Sequence, residues 1–354
     1  MAFQPDYNNI VDAATNKKPK RIPLYDHIIA EEVMQKVMKA DFIAFMKSGD
    51  KREYFKYYTQ FFFRMGYDTV SFEQCITKML PGGGALYRHA NPVLKTYEDF
   101  RNYPWDALAD RYYELFADDF RMLGEVMPEG MKAIGGPGNG LFEIVQDLCG
   151  YEGLCYMAAD DPNFYAAIFE TVANLMLEIW KRFLEEFSDI YCVCRFGDDL
   201  GFRSQTLLSV ADIKTLLIPQ YKRLVEQIHC FGKPFLLHSC GCIFDVMDDL
   251  IVEVKIDAKH SNEDAIAPFD LWVEKYGNRI GNFGGIDTDV LCRDSLAEIK
   301  KYVENVFVEN AGKQGGIAFG SGNSVPDYVP AEGYLAMVKT LRIMRGEKLG
   351  GELL

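Results

Sequence analysis

The run His238-Ser239-Cys240 is where the chain most plainly offers chemistry. In extended chain, residues 238 and 240 point the same way, so an imidazole nitrogen and a sulfur can share one zinc ion. The competing reading is a buried histidine beside a buried thiol. Cys242 lies close enough in sequence to be a further ligand. The pair Asp198-Asp199 offers carboxylates that can bind a cation, orient a substrate hydroxyl, or work as acid and base. Alternatively, one of them caps the next helix. The glycine-rich run Gly135 to Gly140, which contains Asn139, resembles a phosphate cradle but lacks the Lys-Ser/Thr of a P-loop. It reads as a tight turn that permits close packing. Cys192 and Cys194 alternate along an apolar run and read as core fillers.

These residues need elements to hold them. Short apolar or β-branched runs alternate with helical patterns, which argues for a parallel α/β sheet or barrel. Eight runs stand out: Ile22–Asp26, Thr69–Phe72, Lys132–Gly135, Ile190–Phe196, Pro234–His238, Lys255–Lys259, Ile280–Phe283 and Gly316–Phe319. Eight strands are what a (β/α)8 barrel requires, and its active site lies at the carboxyl ends of the strands. Just after these runs come Asp26 and His27, Glu73, Asn139, Asp198 and Asp199, His238, His260 with Glu263 and Asp264, Asp287, and Asn323. The arrival of His27, His238 and His260 at strand ends argues for an enzyme. Helices are expected after Ser209, whose spacing to Asp212 makes a capping box, from Pro162 to Phe187, and after Pro330. Two long helical connections, 73–131 and 136–189, are expected to cover one rim.

Composition narrows the partners. The 354 residues carry a formal charge of −14, which disfavours nucleic acid and anionic membrane surfaces. Apolar residues make up 49% and charged residues 25%, so a folded core is expected. No apolar run is long enough to span a membrane, and the first twenty residues lack a secretory pattern. With nine scattered cysteines, these features point to a reducing cytoplasm.

Several segments together resemble the uroporphyrinogen decarboxylase superfamily, which includes cobalamin-linked methyltransferases. They are Arg21-Ile22-Pro23-Leu24-Tyr25, Gly150 to Leu154 with Asp161-Pro162, Gly197 to Gly201 on to Ser209, His238 to Gly241, and Gly284 to Asp287. The closing Gly320 to Pro326 with Pro330 is similar in layout. The resemblance implies an α/β fold: one distorted (β/α)8 TIM barrel over residues 21–346. Long helical excursions would follow the second and third strands. Residues 1–20 would form an N-terminal extension and 347–354 a tail.

True decarboxylases of this family carry an arginine-rich stretch after the first strand to hold porphyrinogen carboxylates. This chain has Asp26-His27-Ile28-Ile29-Ala30 there. An acidic rim without arginines disfavours that substrate. The methyltransferase branch binds zinc through His-x-Cys and a later cysteine. His238 and Cys240 match, whereas Asn323 stands at the cysteine position. A third ligand would then come from Glu73, His27, Asp287 or Cys242.

The expected activity is a corrinoid-dependent methyl transfer, with zinc as an assisting metal, between a small methylated molecule such as a methyl ether and a cobalamin cofactor or corrinoid protein. Asp198, Asp199, His260 and Glu73 would do proton or orienting work. His27, Asn139, Asp287 and Asn323 would contact substrate. The alternatives are a carboxy-lyase of the decarboxylase type, or a non-catalytic member that binds a corrinoid or tetrapyrrole.

Overall fold

A computed structural model describes residues 3–349. Seven strands form one all-parallel sheet in sequence order. They are β1 (Thr69–Cys75), β2 (Lys132–Gly138), β3 (Tyr191–Gly197), β4 (Phe235–His238), β5 (Ala258–His260), β6 (Gly281–Ile286) and β7 (Ile317–Ser321). Parallel neighbours need crossovers, and helical sequence supplies each one. Every residue of β3 is buried, as expected of a strand covered on both faces.

The eighth strand expected at Ile22–Asp26 does not form. Leu24 makes one parallel bridge to Phe319 of β7. Tyr25 N donates to the Phe319 carbonyl at 2.9 Å, and Phe319 N to the Pro23 carbonyl at 3.1 Å. On its other side the segment meets β1 through a side chain, Ser71 Oγ donating to the His27 carbonyl. The physical cause lies in the run itself. Pro23 has no N–H to offer a ladder, and Asp26 is engaged by side chains, since Tyr67 and Ser321 hydroxyls both donate to it. Both edges of the sheet therefore reach one short segment, so the sheet is curled around its interior.

Side chains fill that interior. Tyr25, Ile134, Val193, Leu236, Ala258, Phe283 and Ala318 form one cluster with Ile10, Ala13 and Ala14 of the helix Asn8–Ala14. The carbonyl of Ala13 lies where a Cβ on Gly281 or Gly316 would stand, so this helix closes the amino-terminal end of the sheet. Residues set apart above as an extension thus contribute core. A larger cluster, with Trp180, Phe183, Phe196 and Trp272, lies between sheet and helices.

The run Gly135 to Gly138 is strand rather than turn. Gly135 and Gly136 hold φ of +140° and +134° while the ladder to β1 continues through Gly138. A Cβ on Gly136 would meet the Trp180 ring at 2.7 Å, so glycine lets that helix approach the sheet.

The expected helices form. Asp161 accepts from Phe164 N at 3.0 Å and starts Pro162–Phe187. Ser209 accepts from Asp212 N at 3.0 Å, and Ala331–Met344 follows Pro330. The long connections hold helices Tyr97–Asn102 and Leu108–Glu125 after β1, and Leu141–Cys149, Tyr151–Asp160 and Pro162–Phe187 after β2. Among the described residues no helix is long and apolar enough to cross a membrane. Within the 347–354 tail, Glu347 accepts from Arg342 Nε at 2.7 Å, whereas 350–354 lie outside the described residues.

Candidate active site

Because all strands run the same way, their carboxyl ends share one face. His238 ends β4 and His260 ends β5, in register with each other. Their Nδ1 atoms lie 2.7 Å apart. His27 stacks flat on His238, with ring centroids 3.7 Å apart and planes 5° from parallel. Burial pushes all three rings toward the neutral form, His260 to about 3.

The other nitrogen of His238, Nε2, faces Cys240 Sγ at 3.4 Å and Asp199 Oδ1 at 3.7 Å. Asp199 Oδ1 also accepts from Cys240 N at 2.9 Å, which ties the two loops together. Asn323 Oδ1 and Ser261 Oγ each lie 3.6 Å from the sulfur. Burial, reinforced by the Asp199 charge, holds the Cys240 thiol well above its ordinary value. A metal ion would reverse that preference.

Among the described residues, two sets of three side chains bring ligand atoms within 4.8 Å of one another: His27, His238 and His260, and Asp199, His238 and Cys240. In the first set, both nitrogens of His260 are engaged, Nε2 by the Ser321 carbonyl at 2.9 Å. The second set fits zinc. Bonds of about 2.0–2.3 Å to N, O and S in a tetrahedron put ligands roughly 3.3–3.8 Å apart. The separations of 3.4 and 3.7 Å around Nε2 fall in that range.

Beside His238 and Cys240 the third donor atom within reach belongs to Asp199, and the four residues expected there have other surroundings. Glu73 is bound by Arg195, Nη2 at 2.6 Å and Nε at 3.1 Å. Asp287 starts the helix Thr288–Arg293, accepting from Asp289 N and Asp264 N, each at 2.7 Å. His27 presents its ring face to His238, and Cys242 falls in neither set.

The remaining predicted residues reach the same face with other partners. Asp198 is fully buried and accepts from Phe142 N at 2.9 Å, Glu143 N at 2.8 Å and the Tyr221 hydroxyl. It caps the helix Leu141–Cys149 from outside that helix. A Cβ on Gly140 would overlap its carboxyl, which is why glycine precedes the helix. Burial raises Asp198 to about 7. Asn139 accepts from Thr77 Oγ1 at 2.8 Å and donates to Glu143 Oε2 at 2.7 Å. Asn323 donates to Glu263 Oε1 at 3.0 Å and stands beside Cys240.

Three residues went unnoticed in the sequence. Arg195 is buried in β3 and also donates to Tyr25 Oη and the His27 carbonyl, each at 3.0 Å. The interior thus does hold an arginine, contrary to expectation, with its charge balanced by Glu73. An arginine inside the apolar run Ile190–Phe196 was the available signal. Glu143 is held well above the usual carboxyl range by burial, reinforced by the Asp199 and Asp198 charges. Within the apolar helix Leu141–Cys149 nothing marks it. Lys259 is buried over the Trp272 ring, 3.7 Å from its centroid, and is drawn down to about 7 by burial.

A family model for uroporphyrinogen decarboxylase matches residues 6–343. The chain belongs to the uroporphyrinogen decarboxylase family. Among solved structures it is similar to a methyltransferase from Methanosarcina mazei, with a TM-score of 0.73 and 13% identity. That match covers 95% of this chain and 98% of the other. A protein described as a vitamin-B12-independent methionine synthase from Listeria monocytogenes aligns at a TM-score of 0.49 and 14% identity, over 92% of this chain and 98% of that one. A search of curated proteins finds no match. At this identity the likeness to a solved structure is one of fold.

Proposed function

We propose that this member of the uroporphyrinogen decarboxylase family is a methyltransferase. It would move a methyl group between a small methylated molecule, such as a methyl ether, and a corrinoid, free or carried by a protein. Asp199, His238 and Cys240 would hold zinc. The observation that carries this reading is the nitrogen, sulfur and oxygen donor set around His238 Nε2. The methyltransferase fold of similar shape supports it. When bound, zinc supplies Lewis acidity to the atom that gains or loses the methyl group.

The chain's own residues do the rest. His238 is fixed from both sides, by the His27 ring and by His260. Asn323 stands beside the sulfur with its amide held by Glu263, placed to orient a substrate oxygen. Glu143, held well above the usual carboxyl range by burial, is better suited to proton work than Asp198, whose oxygens are occupied by N–H groups. A polycarboxylate substrate fits less well, because the buried guanidinium of Arg195 is already paired with Glu73. All nine cysteines are unpaired, which supports a reducing cytoplasm as the working compartment.

The test is zinc content of freshly purified, unchelated protein, with a methyl-transfer assay using cob(I)alamin. His238→Ala and Cys240→Ala are each expected to lower bound zinc to near zero. Equal zinc in wild type and both variants would remove the metal reading.

A further inference from the structure

Whether His238 can bind a metal through Nε2 depends on which ring nitrogen carries its proton, and the bonds around it decide this. His260 Nε2 lies 2.9 Å from the carbonyl oxygen of Ser321. A carbonyl only accepts, so that nitrogen bears the hydrogen. The His260 ring is fully buried and has no carboxylate among its hydrogen-bond partners, which keeps it neutral. Its Nδ1 is then bare. The 2.7 Å bond to His238 Nδ1 needs one hydrogen, and it must sit on His238. Neutral His238 is left with a bare Nε2, aimed at Cys240 and Asp199.

We propose that His260 is a positioning residue that fixes His238 as the Nδ1–H tautomer and so turns the Nε2 lone pair toward the zinc ligands. This inference rests on the proposed function only for its purpose; the proton position stands apart from it.

The fixed point is the Ser321 carbonyl. Ser321 N donates to Asp26 Oδ1 at 2.6 Å, and its hydroxyl donates to the same oxygen. Tyr67 donates to Asp26 and lies 2.7 Å from the Tyr334 hydroxyl. One run of bonds thus passes from the helix Ala331–Met344 through Tyr67, Asp26, Ser321 and His260 to His238. The stacked His27 ring prevents His238 from turning out of it. Such partners behind a ligating histidine set both its tautomer and its basicity.

Nitrogen-15 NMR of histidine-labelled, metal-free protein reads the tautomer directly. His238 should show a protonated Nδ1 and a bare Nε2, with through-bond coupling between the two Nδ1 atoms. His260→Phe removes the acceptor, and His238 should then populate both tautomers. His260→Gln can still accept from His238 and donate to Ser321, so it should restore the wild-type pattern. In zinc competition, His260→Phe should bind about 10–100-fold more weakly, with His260→Gln close to wild type. A proton on His238 Nε2 in wild type overturns the proposal, as does a His260→Phe variant with unchanged tautomer and zinc affinity. Wild type that binds no zinc defeats the proposed function, while the spectrum still decides the tautomer. If His260→Phe fails to fold, the wild-type spectrum and His260→Gln decide it.

Discussion

Two halves of the same strand-end face treat their polar groups in opposite ways. On the side of β1 to β3, Glu73, Arg195 and Asp198 are buried with their bonds filled: ion pair, tyrosine hydroxyl, serine hydroxyl, helix N–H groups. On the side of β4 and β5, His238 Nε2 has only a weak sulfur bond to Cys240 at 3.4 Å, and Asp199, 3.7 Å from the same nitrogen, is partly open to solvent. The difference teaches that ionisable character at a strand end does not by itself mark chemistry. What marks it is donor or acceptor capacity left over once the fold has taken its share.

The strongest way to break this comparison is at Arg195. Replacing it with methionine leaves the Glu73 carboxylate buried without its cation, and deprives Tyr25 Oη and the His27 carbonyl of a donor. Removing one partner of a buried pair typically costs about 3–5 kcal/mol. Urea unfolding should show that loss, while zinc affinity of the folded fraction stays near wild type. The double variant Arg195→Met with Glu73→Leu should recover much of the stability. An Arg195→Met protein that is stable yet cannot hold zinc would move Arg195 from the structural half to the functional one.

The adjacent carboxylates Asp198 and Asp199 give a sharper contrast at smaller cost. Asp198→Ala removes the acceptor for two helix N–H groups and the Tyr221 hydroxyl, a loss of about 1.5–3 kcal/mol per charge-assisted bond at most, shared among partners that then find other arrangements. Its side chain makes no metal set, so zinc binding should persist. Asp199→Ala should do the reverse, since its side chain is 43% exposed and easily resolvated. Its melting temperature should hardly move while zinc affinity falls. Parallel melts and zinc titrations on both variants check this. Matching effects in the two would dissolve the distinction.

How much of this was legible in sequence follows the same division. The seven strands were readable because apolar runs and punctuation mark them, and the capping at Ser209 was local. Ile22–Asp26 failed as a strand because its pairing depends on Pro23 and on side chains far away in sequence, Tyr67 and Ser321. Gly135-Gly136 looked like a turn because the Trp180 ring that demands glycine there lies on another element. In the site, His238 and Cys240 were visible through strand period two. Asp199 as their third partner was not, because the loops after β3 and β4 are brought together by bonds that no sequence pattern marks: Cys240 N to Asp199 Oδ1 at 2.9 Å, Gly201 N to the Cys240 carbonyl at 3.2 Å and Cys242 N to the Phe202 carbonyl at 2.6 Å.

The smallest expected effect concerns Asn323, which stands on the border between the halves. Its Oδ1 accepts from Ser324 N at 2.7 Å and lies 3.6 Å from Cys240 Sγ, while its Nδ2 donates to Glu263. It therefore both shapes its loop and faces the ligand set. An amide oxygen is a hard, neutral donor, and zinc beside a thiolate prefers nitrogen or sulfur. Asn323→Cys should add a sulfur beside Cys240 and raise zinc affinity by roughly tenfold, about 1.4 kcal/mol. The variant gives up both amide bonds, so its melting temperature should drop slightly, and turnover on the natural substrate should fall with the orienting amide gone. Zinc competition alongside thermal melting separates the two roles. A variant that melts lower and binds zinc no better would leave Asn323 as a loop residue, and the boundary between the halves would then run between it and Cys240.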